Sequence, residues 1–140
     1  LTKNDKLVLD SITDSTNNIG KSIEEFKLRE GLNEVINLAR TGNKYLAENE
    51  PWKTKKTDEQ RTETVLNIAL QISAALAFLC EPYLPFTSKK LKNLLNLVHH
   101  DWDEINSDIM KEGGKINQHE HLFQKIDDEK IIEQLQKLNS

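Results

Sequence analysis

Thirteen of the sixteen residues from Val65 to Cys80 are hydrophobic, and the exceptions, Asn67, Gln71 and Ser73, are scattered rather than gathered on one side. A helix that is apolar on every face belongs in the middle of a helical assembly or in a bilayer. The run is shorter than the ~20 residues that cross a hydrocarbon core, so the expectation is a central helix walled in by amphipathic neighbours, with no membrane span. Its start signals are Thr57 as N-cap, Asp58 and Glu59 in the first turn and Gln60 at the capping-box position. Its far end is punctuated by Pro82 and Pro85.

The neighbours are legible from periodicity. Over residues 4–23, Leu7, Leu9, Ile12, Ile19 and Ile23 stand among acids and amides, as on a helix with one narrow buried stripe; Gly20 leaves its end open. Leu28, Leu32, Val35, Ile36, Ala39 and Leu46 recur at helical steps and predict a second helix running to about Ala47, which stops before Pro51 because a residue preceding proline is pushed out of the helical region. Gly31 and Gly42 interrupt it, a sign of another group approaching closely. After Pro85, the residues Leu91, Leu94, Leu95 and Val98 form a short fourth helix. Residues 101–126 read as an irregular crossing pinned by Trp102, and Asp127 and Asp128 open a terminal helix carrying Ile131, Ile132, Leu135 and Leu138. No strand pattern, repeat or low-complexity tract occurs. The expected fold is an all-α helical bundle of one domain, residues 1–140.

Chemistry is sparse. The single cysteine, Cys80, excludes a disulfide framework and a multi-cysteine zinc site, and its apolar setting makes it a small core residue in a reducing compartment. His99-His100 and His119-x-His121 lack a cysteine partner and read as exposed side chains, so no metal site is expected. Glu24-Glu25 and Asp127-Asp128 lie in polar helical contexts with nothing to raise a carboxyl pKa. No phosphate cradle, zinc-hydrolase or nucleophile-elbow motif is present. The chain reads as non-catalytic and cofactor-free.

The net charge of −4 weighs mildly against nucleic acid, yet it is uneven: residues 51–100 hold seven Lys and Arg against four Asp and Glu, between acidic flanks. The basic residues form two knots, Lys53, Lys55, Lys56 and Arg61, then Lys89, Lys90 and Lys92. Within the first knot, Pro51-Trp52 sits at the junction of two helices. A tryptophan held by a proline beside lysines is the pattern that stacks an unpaired RNA base and holds its phosphates. The competing expectation is that Trp52 plugs the core at a helical corner and that the lysines are a solvated face.

Three separated motifs carry a family resemblance. Leu38-Ala39-Arg40-Thr41-Gly42-Asn43-Lys44-Tyr45-Leu46 followed by Glu50-Pro51-Trp52-Lys53, then Glu81-Pro82-Tyr83-Leu84-Pro85-Phe86-Thr87 after the apolar helix, then Leu122-Phe123-Gln124-Lys125-Ile126-Asp127, together resemble the anticodon-binding domain of methionyl-tRNA synthetases over roughly residues 24–138. Gln124 stands where that family usually has proline. The resemblance implies a helical bundle of the class I aminoacyl-tRNA synthetase type, appended to a catalytic domain in the same chain, that recognises the CAU anticodon of methionine tRNA. It carries stacking on the first anticodon base to Trp52, held by Pro51 and followed by Lys53, with Lys55, Lys56 and Arg61 as candidate phosphate contacts. The family's base-edge readers, an Asn and an Arg one turn apart, lie on an earlier helix expected upstream of Leu1, and Asn33 and Arg40 do not take their place. With Met110 as the only methionine, the chain is expected to be part of a longer protein. ATP, with zinc as an option, is implied for that catalytic part, in the cytoplasm, with no DNA or membrane partner. The alternative from the residues alone is a helical protein-interaction module that lends out its terminal helix.

Overall fold

The computed structural model describes residues 1–118 and 121–138. Its elements are α1 (Lys3–Glu24), α2 (Leu28–Asn49), α3 (Pro51–Thr54), α4 (Glu59–Leu79), α5 (Pro85–Leu94), a 3-10 turn (Trp102–Glu104) and α6 (Asp128–Leu138). No strand occurs among the described residues. His119, one member of the second histidine pair, lies outside them.

Helix α4 is the axis of the fold. It touches α1, α2, α3 and α5, and Val65, Ile68, Ile72, Ala74, Ala75 and Leu79 along it are shielded from solvent. At 21 residues the whole helix is long and apolar enough to cross a membrane, longer than the apolar run alone indicated, but more than half of its apolar window is covered by the rest of the chain. That coverage fits the central helix of a bundle. Its N-cap is Asp58 rather than Thr57: the Asp58 carboxylate accepts from the Arg61 backbone N–H at 2.9 Å. Thr57 is instead tied to the end of α3, its N–H bonding Thr54 C=O at 2.9 Å and its hydroxyl donating to the same oxygen at 3.3 Å.

Helices α1 and α2 form an antiparallel pair closed by a tight turn. At the end of α1, Phe26 N–H bonds Ile23 C=O at 3.0 Å and Lys27 N–H bonds Ser22 C=O at 2.7 Å, a Schellman arrangement with Phe26 at φ +58°. The buried stripes keep Ile12, Ile19 and Val35 as expected, with Leu9, Ile23 and Leu46 packed against the core, and differ from the expected ones at single positions. On α1, Val8, Ile12 and Ile19 are buried while Leu7 is exposed. On α2, Val35, Leu38 and Tyr45 are buried, with Leu28 and Ile36 exposed. On α2 the inner stripe is marked by Gly31 and Gly42: the place of a Gly31 Cβ is taken by the Tyr83 hydroxyl, and a Gly42 Cβ would stand 3.2 Å from Ile72 Cγ2.

The far end of α4 turns through Glu81–Leu84 into α5, held where Ser88 Oγ donates to Ala77 C=O at 2.6 Å. Cys80 is buried and free, and burial pushes its thiol pKa up. His100 is not simply exposed: its ring lies 5.4 Å from that of Phe78. Val98, expected on the inner face of α5, lies beyond the end of the helix and is exposed. The crossing after α5 is pinned by Trp102, whose indole lies over Gly20, and by buried Ile105 and Ile109. Gln71 in α4 fixes it further, accepting from Met110 N–H at 2.9 Å and donating to Met110 C=O at 2.8 Å. No residue of α6 is buried.

Candidate nucleic-acid interface

The segment that carries Trp52 is built from a forced change of direction. Helix α2 ends at Asn49, and Glu50 takes left-handed dihedrals, φ +41° and ψ +57°. Its N–H still bonds Leu46 C=O at 2.9 Å, and its own C=O accepts from Lys53 N–H at 2.8 Å. Glu50 is therefore both the last cap of α2 and the first cap of α3. Pro51 at the first position of α3 suits a helix start, since it has no N–H to satisfy and a fixed φ. It is buried, and the residue after it is turned outward.

Trp52 is 63% exposed, which removes the core-plug expectation. Beside it lies a groove of about 390 Å³ with largely apolar walls, bordered by Pro51, Trp52 and Lys55 on one side and by Glu59, Glu63 and Leu66 of α4 on the other. Lys53 is exposed and pairs with Glu50 at 2.7 Å. Lys55 and Lys56 are exposed. The structure therefore brings together an aromatic face, a buried proline and three lysines at one end of α4.

Arg61, named with these lysines among the candidate phosphate contacts, faces another way. Its guanidinium reaches inward to Asp5, Nη1 to Oδ2 at 2.6 Å and Nη2 to Oδ1 at 2.9 Å, and Nη2 also donates to Asn49 Oδ1 at 2.6 Å. A fork bound to a buried carboxylate is the strongest geometry open to an arginine, so these donors are committed. Asp5 is wholly buried and has every lone-pair direction in use: Oδ1 also accepts from Tyr45 OH at 2.6 Å, and Oδ2 from Thr2 N–H at 2.7 Å. Arg61 beside it, against the opposing effect of burial, holds the Asp5 carboxyl well below the usual carboxylate range. The Tyr45 phenol is pushed up to about 12, by burial first and then by its bond to Asp5. Sequence reading missed Asp5, though a signal was present: it lies three residues before Val8 and seven before Ile12, on the stripe that α1 buries.

The second basic knot is at the opposite end of α4. There Lys92 pairs with Glu81 at 2.7 Å and lies 4.6 Å from the centre of the Phe78 ring, while Lys89 and Lys90 are exposed. Among the described residues no group of three or more His, Cys, Asp and Glu is arranged to hold a metal ion.

A family model described as the anticodon binding domain of methionyl tRNA ligase matches residues 1–140. The chain is 48% identical over 139 residues to the Methionine--tRNA ligase of Phocaeicola vulgatus, covering 99% of this chain and 20% of that protein. Against the Methionine--tRNA ligase of Bacteroides fragilis it is 46% identical over 139 residues, with the same coverage. It thus spans about a fifth of the length of these relatives. Among solved structures, the free-state methionyl-tRNA synthetase of Mycobacterium tuberculosis superposes with a TM-score of 0.82 at 16% identity, over 91% of this chain and 27% of that one, a likeness of fold. With the three motifs in order, the helical bundle around α4 and a match along its whole length, the chain belongs to the anticodon-binding domain family of methionyl-tRNA ligases.

Proposed function

We propose that this chain grips the anticodon loop of methionine tRNA, with the Trp52 indole stacked on the first base of the CAU anticodon and Lys53, Lys55 and Lys56 facing the loop phosphates. The observation that carries the reading is an indole 63% exposed on a short helix beside a groove and three lysines, in a chain of this family. An apolar face this large is costly to leave in water unless something covers it, and an unstacked base has the matching flat surface. Arg61 is left out of the phosphate set because Asp5 and Asn49 hold its donors. The remaining acidic surface disfavours nonspecific RNA, whose affinity grows with every cation available.

In this reading the grip serves ATP-dependent methionylation by the catalytic domain of the same protein, in the cytoplasm. ATP belongs to that domain, as would any zinc. The test is binding of an anticodon stem-loop of methionine tRNA by the full-length protein with Trp52→Ala. Losing one stacked base should weaken binding by about 1–3 kcal/mol, fivefold or more; unchanged affinity and unchanged charging would exclude the stacking role.

A second reading, a helical module that docks a protein partner, draws on α6, where Ile131, Ile132 and Leu135 are each about half exposed on one amphipathic helix. Light scattering on the full-length protein, with and without Ile131→Ser and Leu135→Ser, separates the two. An unchanged mass with intact tRNA binding leaves the RNA reading standing alone.

A further inference from the structure

Helix α3 is four residues long, and a helix this short has no stability of its own. The direction of the Trp52 indole must therefore be set by what holds the two ends of α3. At the leading end, Asn49 bridges two elements: its Oδ1 accepts from Arg61 Nη2 at 2.6 Å, and its Nδ2 donates to Tyr45 C=O at 2.8 Å. Arg61 in turn is anchored on Asp5. At the trailing end, Thr54 Oγ1 lies 2.8 Å from Thr62 Oγ1, and Thr62 Oγ1 is 2.9 Å from Asp58 C=O, to which it donates. Between them, Glu50 is held in the left-handed region, where a side chain other than glycine stays only when its surroundings fix it.

We propose that Asn49 and the Thr54–Thr62 hydroxyl pair are positioning residues for RNA binding: they clamp both ends of the short helix that carries Trp52 and set the face its indole presents to a base. This rests on Trp52 being the stacking platform. Asn49 and Thr54 are half-buried, Thr62 is buried beneath them at the groove beside Trp52, and the positioning role needs none of them to touch RNA. Their effect is on orientation, and stacking is sensitive to the tilt and offset of the two planes. A clamp of this kind also gives the Asp5–Arg61 pair a functional reach, because Arg61 holds Asn49 only while Asp5 holds Arg61.

The experiment uses the full-length protein with Asn49→Ala and Thr54→Val, each alone and each combined with Trp52→Ala. The RNA is an anticodon stem-loop with a CAU loop, beside the same stem-loop lacking its first anticodon base. Each single variant should keep the helical circular dichroism and unfold cooperatively above the assay temperature, although Asn49→Ala gives up two hydrogen bonds and lowers the melting temperature. Each should weaken the CAU stem-loop by about three- to tenfold, part of what the whole stack contributes. The loss should vanish in the Trp52→Ala background and with the stem-loop missing that base. The slope of log affinity against log salt should stay the same, whereas loss of a phosphate contact would lower it by about 0.7. If Trp52→Ala weakens binding and the two clamp variants do not, the positioning role is wrong and the platform stands. Clamp effects that add to those of Trp52→Ala, or that lower the salt slope, also overturn it. If Trp52→Ala itself has no effect, the platform reading fails first and the clamp falls with it.

Discussion

Arg61 and Asp5 lie 56 positions apart in the chain and meet through two parallel hydrogen bonds of 2.6 and 2.9 Å, with the carboxylate wholly buried. Through Thr2, Tyr45 and Asn49 the pair ties the start of α1 to the end of α2 and the first turn of α4. Breaking one partner of such a pair leaves a charge unmatched. Arg61→Ala should destabilise the chain by about 3–5 kcal/mol, because the Asp5 carboxylate cannot reach water. Asp5→Ala should cost less, since the Arg61 side chain is about a quarter exposed. Urea unfolding of the three proteins gives the order; equal losses would contradict it.

The same pair makes stability depend on acid. The Asp5 pKa is depressed in the folded chain, so the stability it contributes is fully present above the ordinary carboxylate range, about pH 4, and is lost as pH falls below it. Tyr45 acts at the other limit: with a folded pKa pushed up to about 12 from an ordinary 10, its contribution is present below pH 10 and declines as pH rises toward 12. Tyr45→Phe should remove the alkaline decline, and Asp5→Asn should lower stability at neutral pH while flattening its fall below pH 4. Denaturant midpoints measured from pH 2 to pH 11.5 check both signs.

Phe26 holds φ +58° and is 89% exposed, so its side chain contributes little packing to offset the left-handed backbone. Phe26→Gly should stabilise the chain by about 0.5–1 kcal/mol, since glycine takes this conformation without a Cβ clash. A drop in melting temperature would mean that the ring makes contacts of greater value than the strain it imposes.

The Tyr83 hydroxyl is buried with no hydrogen-bond partner and occupies the space a Gly31 side chain would need. Tyr83→Phe should be neutral or stabilising, because it removes an unsatisfied polar group. Gly31→Ala should destabilise by about 1–3 kcal/mol through overpacking. In the Tyr83→Phe background that cost should fall, since the overlapping atom is gone and the nearest ring carbon lies 3.3 Å away. Calorimetry on the two single variants and the double variant measures the coupling.

The order and extent of the long helices were readable from the residues, because apolar spacing, prolines and caps act locally, whereas the short α3 was not expected and α5 ends before Val98. The expected spans for α1, α2, α4 and α6 lie within a few residues of those observed, and the apolar run from Val65 to Cys80 marked the central helix. The three motifs carried the family. The edge of each buried face was less legible: neighbouring positions on a helix differ by about 100°, so a residue beside the stripe can fall on either side of its border. On α1 and α2 that border left out Leu7, Leu28 and Ile36 and took in Val8, Leu38 and Tyr45.

What the sequence determined by itself is an all-helical chain of this family with a tryptophan and a basic knot at one helical junction. Only the tertiary structure decided that Trp52 faces outward and that Arg61, four residues past Thr57, turns inward to Asp5. The physical reason is that local spacing constrains a helix, whereas the worth of a charge depends on which partner the fold brings within hydrogen-bond reach. Here a carboxylate on the buried stripe of α1 claimed the one basic residue of the knot that lies within α4.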